Sequence, residues 1–306
     1  MSGEGARTLK IAFRAAGLVV AMAVACFLPA QRQEAPAARK LPRAMVRLEH
    51  YQALKEVFLP GDVLYAFVIR QPDPSDPNSR LPEGAPAAQP RPGEPSRPPT
   101  LPVPRQFPRT IFDPQRLDRA LAGLNAIQDA RLQKSLIVSS VSDLKANSKR
   151  FPKDVTWVAY NSEPGMTPPE ELENIEQSVR EFATVAHAAG LRAAWGPTNV
   201  MIASDEQKYL GLARYVDSMG LQHQKVLQFE GVEAFVELTK RRSETIRKIN
   251  PAVQVAVQVV VGRGSNEQCI QALKGALPYV DEISVWTMKD FDSEAQIIAG
   301  ARGQKK

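Results

Sequence analysis

Cysteine, histidine and tryptophan are scarce in this chain of 306 residues, which holds two, three and three of them. Cys26 lies near the N-terminus and Cys269 on a predicted helix, so loss or lipidation of Cys26 leaves no internal disulfide. No two histidines have the spacing of a metal site, and the sequence also lacks a Gly-rich dinucleotide loop and the elbow of a serine hydrolase. We therefore expect no metal and no cofactor, and a fold that is stabilised by its core alone.

The net charge of +6 reflects the two ends of the chain rather than its middle. Residues 1–50 and 302–306 carry the excess of Lys and Arg, whereas residues 51–301 hold 28 basic and 30 acidic side chains. A protein that binds nucleic acid needs a basic surface to neutralise the phosphates. We therefore expect no nucleic acid partner.

The first 30 residues have the layout of an export signal. Three basic residues precede an apolar run over residues 15–28, which is shorter than the ~20 residues of a membrane span. Cleavage after Ala30, lipidation of Cys26 in the lipoprotein-like box Ala23-Val24-Ala25-Cys26, and retention as an N-terminal anchor all fit this layout. Each route predicts an extracytoplasmic domain that is secreted, periplasmic or attached to a membrane only through its N-terminus.

Composition divides the remainder of the chain into segments. Residues 31–50 are predicted as a basic tether, residues 51–301 as the folded domain and residues 302–306 as a basic tail. Within the domain, residues 71–110 hold 13 of the 25 prolines, a composition that cannot bury enough apolar surface to order itself. We expect a flexible or polyproline-like insertion there, with a docking segment for a partner as the alternative.

Short β-branched runs alternate with amphipathic helical stretches along the domain, which is typical of βα units around a parallel sheet. The predicted strands are Val63–Arg70, Ser135–Ser140, Thr156–Asn161, Leu191–Gly196, Ser218–Gln224, Val253–Val261 and Glu282–Thr287. Seven strands in this length favour an α/β fold of the TIM type, a (β/α)8 barrel with one strand missed or absent and the Pro-rich insertion after the first strand. A doubly wound open sheet is the rival fold.

The starts of three helices are predicted from capping boxes, which begin at Thr167, Ser204 and Ser265. The first box would open one long helix over residues 169–189, which Gly190 ends as a left-handed C-cap. These helices lie between predicted strands, as the crossovers of a parallel barrel must.

The predicted strand over residues 253–261 alternates valine with other residues, and this alternation predicts its orientation. The valines fit the packing layer under the helices, so Gln254 and Gln258 point into the barrel. The same reasoning on three other strands adds six side chains to Gln258 at one mouth of the barrel. The seven are Asn161, Glu163, Gln222, Gln224, Gln258, Ser284 and Trp286. These side chains either satisfy one another with trapped water or bind a hydroxyl-rich neutral ligand, a carbohydrate or other polyol, through amides and a stacking indole.

Several motifs occur in a distinctive order between residues 150 and 290. They are Tyr160-Asn161-Ser162-Glu163-Pro164, Thr167-Pro168-Pro169-Glu170-Glu171, Ala186-His187-Ala188-Ala189-Gly190-Leu191, Gly196-Pro197, Gln222-His223-Gln224 and Asn250-Pro251. In these motifs the chain resembles a group of poorly characterised secreted bacterial proteins with a glycoside-hydrolase-like (β/α) barrel. The resemblance implies the fold and an extracytoplasmic location. It also implies an acidic residue at the place that Asn161 occupies here, which lowers the number of carboxyl groups in the site.

Glycoside hydrolysis usually needs two carboxyl groups that flank the scissile bond. Glu163, just past a strand end, is the predicted proton donor; Glu230 and Asp290, on predicted rim loops, are candidates for the second group, whereas Asp205 is expected to serve a helix N-terminus. Amides occupy the strand ends where a second acid is expected. The sequence therefore leaves open an enzyme, a glycoside hydrolase, or a catalytically silent envelope protein of the same fold that binds a glycan or a protein. A metal-dependent phosphoester-cleaving barrel is a third hypothesis.

Two further features admit a functional and a structural interpretation. The segment Gly262-Arg263-Gly264 precedes a predicted helix and could cradle a phosphate, but a tight turn explains its glycines equally well. Its arginine could also reach an anionic substituent of a ligand. His223 points away from the barrel lumen by strand parity, which favours a structural role for it.

Overall fold

The computed structural model describes residues 41–76 and 109–304. The predicted export signal, half of the predicted tether and most of the Pro-rich segment lie outside these ranges. Among the residues within them, no helix is both long enough and apolar enough to cross a bilayer.

Eight parallel strands close into a barrel in which the first strand pairs with the last, and this confirms the predicted TIM-type fold. The barrel strands, in order around it, are β1 Arg43–Arg47, β2 Val63–Val68, β5 Gln133–Val138, β6 Val155–Tyr160, β7 Arg192–Trp195, β8 Ser218–Gln222, β9 Gln254–Val260 and β10 Glu282–Trp286. Two short strands, β3 Gln71–Pro72 and β4 Thr110–Ile111, pair antiparallel outside the barrel. They flank the part of the Pro-rich segment that is not described.

Helices connect the barrel strands. They are α1 Tyr51–Leu54, α2 Pro114–Ala126, α3 Val141–Asn147, α4 Pro169–Glu173, α5 Ile175–Ala188, α6 Asn199–Ser204, α7 Glu206–Gly211, α8 Gln224–Ile249, α9 Asn266–Ala276 and α10 Phe291–Arg302, with 3-10 turns at Leu48–His50, Ser148–Arg150, Leu212–Arg214 and Leu277–Tyr279. The long helix α8 is interrupted at Gly231, whose φ of 90° lies in the left-handed region that favours glycine.

The eighth strand, β1, lies at Arg43–Arg47, within the segment that was predicted as a tether. The boundary at residue 51 is therefore wrong, and the barrel begins eight residues earlier. The sequence Arg-Ala-Met-Val-Arg hid the strand because both of its ends are charged. As a consequence, the Pro-rich segment follows the second barrel strand and not the first.

Two of the three predicted helix starts are wrong, while the capping box of Ser265 with Gln268 forms as expected. The hydroxyl of Thr167 instead donates to the carbonyl of Asn161 at 2.7 Å. Ser204 ends α6, and the cap of α7 is Asp205, which fits its expected place at a helix N-terminus. The long helix predicted over residues 169–189 is broken into two, α4 and α5.

The predicted alternation of β9 is confirmed. Val255, Val257 and Val259 are completely buried in the layer between strands and helices. Gln254 lies in the barrel interior at the N-terminal end of the barrel. Its side-chain Oε1 accepts a hydrogen bond from Arg43 Nη2 at 2.5 Å. The valine face thus forms the core, and the opposite face of the strand supplies the interior.

A polar cluster closes this N-terminal end of the barrel and forms its floor. The Arg43 guanidinium pairs with Glu282 and donates to Gln133 Oε1 at 2.8 Å. The same oxygen accepts the indole N–H of Trp157 at 2.8 Å. Together with Gln254, side chains from five strands therefore fill the floor of the barrel.

A buried ion pair joins the last helix to the first two strands. Arg302 Nη2 lies 2.5 Å from Asp62 Oδ1 and Arg302 Nη1 lies 2.9 Å from Asp62 Oδ2, with both side chains at most 1% exposed. Asp62 also accepts the backbone N–H of Ala44 at 2.8 Å, and Arg302 donates to the carbonyl of Pro42 at 2.8 Å. Arg302 was predicted in a basic tail; it is instead the C-terminal residue of α10 and part of the barrel closure.

We expect Asp62→Asn to lower the free energy of unfolding by about 3–5 kcal/mol, because it leaves the Arg302 guanidinium buried without a counter-charge. Urea denaturation measures this change. The matched control is Asp118→Asn, which breaks the exposed pair of Asp118 with Arg150 and should cost less than ~1 kcal/mol. Equal effects of the two substitutions would show that the buried pair does not stabilise the closure.

Candidate functional site

A cavity of about 890 Å³ opens at the C-terminal ends of the barrel strands, where the sites of TIM barrels lie. It is lined by the whole set of side chains that strand parity had assigned to one mouth: Asn161, Glu163, Gln222, Gln224, Gln258, Ser284 and Trp286. The structure therefore brings together residues from four regions of the chain that are separated by up to 125 positions in sequence.

The register of the parallel strands aligns three of these side chains in one layer. Gln222 of β8 is the partner of Gln258 of β9, which is in turn the partner of Ser284 of β10. Trp286 lies one inward position nearer the mouth than Ser284. Gln224 is the first residue of α8 and not part of a strand, because β8 ends at Gln222.

A short turn after β6 positions Glu163. The hydroxyl of Thr167 accepts the backbone N–H of Glu163 at 3.1 Å, and the Glu163 carbonyl accepts the N–H of Thr167 at 2.9 Å. Gly165 has a φ of 82°, a conformation that other residues adopt with strain. This turn holds Glu163 at the barrel mouth, where its side chain lines the cavity.

The environment of Glu163 favours its protonated form. Burial raises the pKa of the Glu163 carboxyl above its ordinary value, and a hydrogen bond from the Gln222 side chain opposes this shift only in part. The Gln222 amide also donates to the carbonyl of Gly196 at 3.3 Å, so its position is fixed from two sides. A carboxyl group that keeps its proton to a higher pH is suited to donate it to a ligand.

The two candidates for a second carboxylate do not join Glu163. Glu230 is exposed on α8, just before the break at Gly231, and not on a rim loop. Asp290 is exposed and caps α10 by accepting the N–H of Ser293 at 3.0 Å. Among the described residues that line the cavity, Glu163 is the one carboxylate.

The cavity also contains residues that the sequence analysis did not identify. Tyr65 and Phe67 line it from β2, and Met45 lines it from β1. Tyr65 is buried, and its side chain forms a hydrogen bond with that of Ser284. The alternation in β2 could have revealed both aromatic residues, whereas Met45 was hidden with the missed strand.

His223 has the structural role that its strand parity favoured. Its Nδ1 lies 3.0 Å from the hydroxyl of Thr239, and its Nε2 lies 3.0 Å from Arg242 Nη1. Thr239 donates its own proton to the carbonyl of Phe235, so Nδ1 carries a proton and Nε2 accepts from the arginine. Burial, reinforced by the charge of Arg242, lowers the pKa of His223 to about 3.

Cys269 is buried on α9, and burial raises the pKa of its thiol to about 11, which keeps it protonated and unreactive. Within residues 41–76 and 109–304, no three His, Cys, Asp or Glu side chains are grouped so that they could hold a metal ion.

No protein-family model matches the chain, and no curated protein matches it either. Solved structures do resemble it. The catalytic domain of a family GH18 chitinase from the fern Peteris ryukyuensis is 10% identical, with a TM-score of 0.52, and the match covers 86% of this chain and 100% of that one. A GH5_18 protein from Streptomyces cattleya in complex with GlcNAc is 9% identical, with a TM-score of 0.53 over 86% of this chain and 80% of that one.

A third similar structure is the xylanase and α-amylase inhibitor protein XAIP-II from Scadoxus multiflorus. It is 9% identical, with a TM-score of 0.51 over 88% of this chain and 100% of that one. At these identities the likeness shows the fold alone, since one barrel supports many functions. The protein is thus a TIM barrel.

We expect Gln222→Leu to raise the pKa of Glu163 further, because the change removes the hydrogen bond that stabilises the charged carboxylate. NMR titration of 13C-labelled glutamate, with the Glu163 signal assigned from Glu163→Gln, measures the shift. Gln228→Leu, which alters an exposed residue of α8, is the control. An unchanged or lower pKa in Gln222→Leu would contradict the role of Gln222.

Proposed function

We propose that the protein binds a carbohydrate in the cavity at the barrel mouth and that Glu163 donates a proton to its glycosidic oxygen. The observation that carries this proposal is the position of Glu163, which is half-buried, lines the cavity and follows β6, the strand opposite β10; partial burial raises the pKa of its carboxyl. Trp286, the last residue of β10, offers an indole on which a sugar ring can stack.

The lining of the cavity supports a sugar more than an apolar ligand. The amides of Gln222 and Gln258 and the hydroxyl of Ser284 both donate and accept hydrogen bonds, as sugar hydroxyls do. The volume of about 890 Å³ is within the range of small-molecule sites. Tyr65 and Phe67 add apolar surface for the carbon faces of the rings.

Glu163 is the one carboxylate among the described lining residues, and this restricts hydrolysis to mechanisms that use a single protein carboxyl group. Transfer of the Glu163 proton to the leaving oxygen breaks the bond to the sugar's anomeric carbon, which must then be attacked by water or by a group of the substrate itself. In substrate-assisted hydrolysis the substrate supplies this nucleophile, as in families GH18 and GH20. Saccharides with 2-acetamido groups are therefore the first substrates to test, and the complex of the GH5_18 neighbour with GlcNAc supports the same choice.

A catalytically silent barrel that binds a glycan or a protein is the second candidate function. It is favoured by the amides of Gln222, Gln224 and Gln258, which line the cavity near or just beyond the strand ends, where a hydrolase has room for a second acid. Amides cannot exchange a proton at neutral pH. XAIP-II, an inhibitor protein, has the same fold.

A glycan array followed by hydrolysis assays on each bound glycan distinguishes the two functions. We expect Glu163→Gln to lower turnover at least 100-fold while binding is retained, since general acid catalysis contributes about 10²–10⁴-fold. Glu230→Gln makes the same change outside the cavity and should leave both properties unchanged. Binding without turnover by the unaltered protein supports the silent barrel, and failure to bind any glycan would refute the hydrolase and leave a silent barrel that binds a protein.

We also propose that the domain is extracytoplasmic and that its N-terminus carries a lipid. The support is the sequence Ala23-Val24-Ala25-Cys26 at the end of the apolar run, which lies outside the described residues. Cys26→Ala should move the protein from the membrane fraction to the soluble fraction of a bacterial host. Cys269→Ala, which leaves this box intact, should not. Unchanged fractionation of Cys26→Ala would eliminate the lipoprotein route and leave cleavage or an uncleaved anchor.

A further inference from the structure

We propose that the ligand of this cavity is an acidic saccharide, and that Lys225 and Arg263 bind its negatively charged substituent. The inference rests on the proposed carbohydrate site and adds the charge of the ligand to it. It follows from the charges around the mouth, from their lack of partners and from one unpaired amide.

Positive charge predominates in the lining of the cavity. Four basic residues line it, namely Arg47, Arg116, Lys225 and Arg263, against the single carboxylate of Glu163 among the described residues. The barrel domain, residues 43–302, holds 31 basic and 31 acidic side chains, so the composition of the domain does not explain this concentration of cations. A cavity with this balance attracts anionic ligands and repels cationic ones.

The order of strands places these cations on both sides of the stacking surface. Lys225 follows β8 and Arg263 follows β9, while Arg47 ends β1 and Arg116 lies on the helix after β2. Trp286 of β10 lies between the two pairs, and Glu163 follows β6 on the far side of the barrel. A ring stacked on the indole would therefore have positive charge at either edge and the proton donor across from it.

Two of the four cations are without partners among the described residues. Arg47 lies 3.4 Å from Glu49, and Arg116 donates to the carbonyl of Ile69 at 3.1 Å. The side chains of Lys225 and Arg263 form no hydrogen bond or ion pair within residues 41–76 and 109–304. Their charges are free to pair with a carboxylate, sulfate or phosphate group.

A rigid turn presents Arg263 to the cavity. Gly262 and Gly264 have φ values of 85° and 104° and pair with each other across the arginine. The next helix, α9, begins with the capping box of Ser265, which already satisfies two of the backbone donors at its N-terminus. An anion at this place would therefore meet the Arg263 side chain more than the helix end, in contrast to a phosphate cradle.

An unpaired amide indicates that the ligand carries hydroxyl groups as well as charge. The Oε1 atom of Gln224 is buried, lines the same cavity and has no hydrogen-bond partner in the described structure. A buried acceptor without a donor is costly, so a ligand hydroxyl at this atom would be favourable. Gln224 precedes Lys225 in the chain, and both line the cavity. A sulfate ion supplies no such donor, whereas an acidic sugar supplies both a hydroxyl donor and a negative charge.

The proposal is tested with pairs of oligosaccharides that differ only in charge. We would use oligogalacturonate and its methyl ester, hyaluronan oligosaccharide and its carboxyl-reduced form, and a chondroitin sulfate oligosaccharide and its desulfated, carboxyl-reduced form. In calorimetry at low salt, we expect at least one acidic member to bind about tenfold tighter than its neutral counterpart, and its affinity to fall as NaCl is raised. Because the first two pairs carry carboxylate alone, a preference confined to the chondroitin sulfate pair would indicate recognition of sulfate.

Equal binding within every pair, or binding of neutral members only, would overturn this inference and leave the proposed carbohydrate function intact. Failure of all members to bind would overturn this inference, and the glycan array would then decide the proposed carbohydrate function separately.

Substitution of the two cations locates the charge recognition. In Lys225→Gln/Arg263→Gln the affinity for the acidic ligand should fall about tenfold or more, while the affinity for its neutral counterpart stays the same. The control, Lys153→Gln/Lys274→Gln, removes the same charge from two exposed residues outside the cavity and should retain binding. Equal losses in the two variants would show that attraction is general to the protein surface and would refute the site. Circular dichroism and thermal melts verify that each variant is folded.

Discussion

The structure depends on one geometric constraint, which is that each strand of a closed barrel directs alternate residues inward and outward. In β9 this constraint sends Val255, Val257 and Val259 to the helix layer and leaves Gln254 and Gln258 to the interior. The in-register pairing of neighbouring strands then places inward residues side by side. Core and candidate site are therefore two faces of the same strands, and a shift of register by one residue would exchange them.

The same constraint explains how much of the fold could be predicted from the sequence. Short β-branched runs between helical stretches located seven of the eight barrel strands, and the inward and outward alternation was clearest in the valine-rich β9. The strand Arg43–Arg47 escaped because it is short and only Ala44 and Val46 pack in the core, while its other three residues are Arg43, Met45 and Arg47. An arginine inside a barrel is stable only with a partner such as Glu282, and the sequence does not show that partner.

Strand parity orients the side chains within the strands, whereas beyond the strand ends Glu163 and Gln224 line the cavity but Glu230 and Asp290 do not. Gln258, Ser284 and Trp286 line the cavity because parity fixes their direction. Glu230 and Asp290 were chosen for their distance after a strand, and distance along a loop or helix carries no direction. Lys225 and Arg116 were missed for the same reason, since the starts of helices place them at the mouth.

Positive charge is neutralised by a partner at one end of the barrel interior and is unpaired among the described residues at the other end. At the floor, Arg43 is enclosed and neutralised by Glu282 and is held by two glutamines. At the mouth, Lys225 and Arg263 have no counter-charge among the described residues, and they are tolerated because water reaches them there. A ligand that enters the mouth displaces this water, and a neutral ligand would leave the two cations less well solvated than before. A ligand that brings its own negative charge would supply the partner that Glu282 provides at the floor, which is why the free cations favour an acidic saccharide over a neutral one.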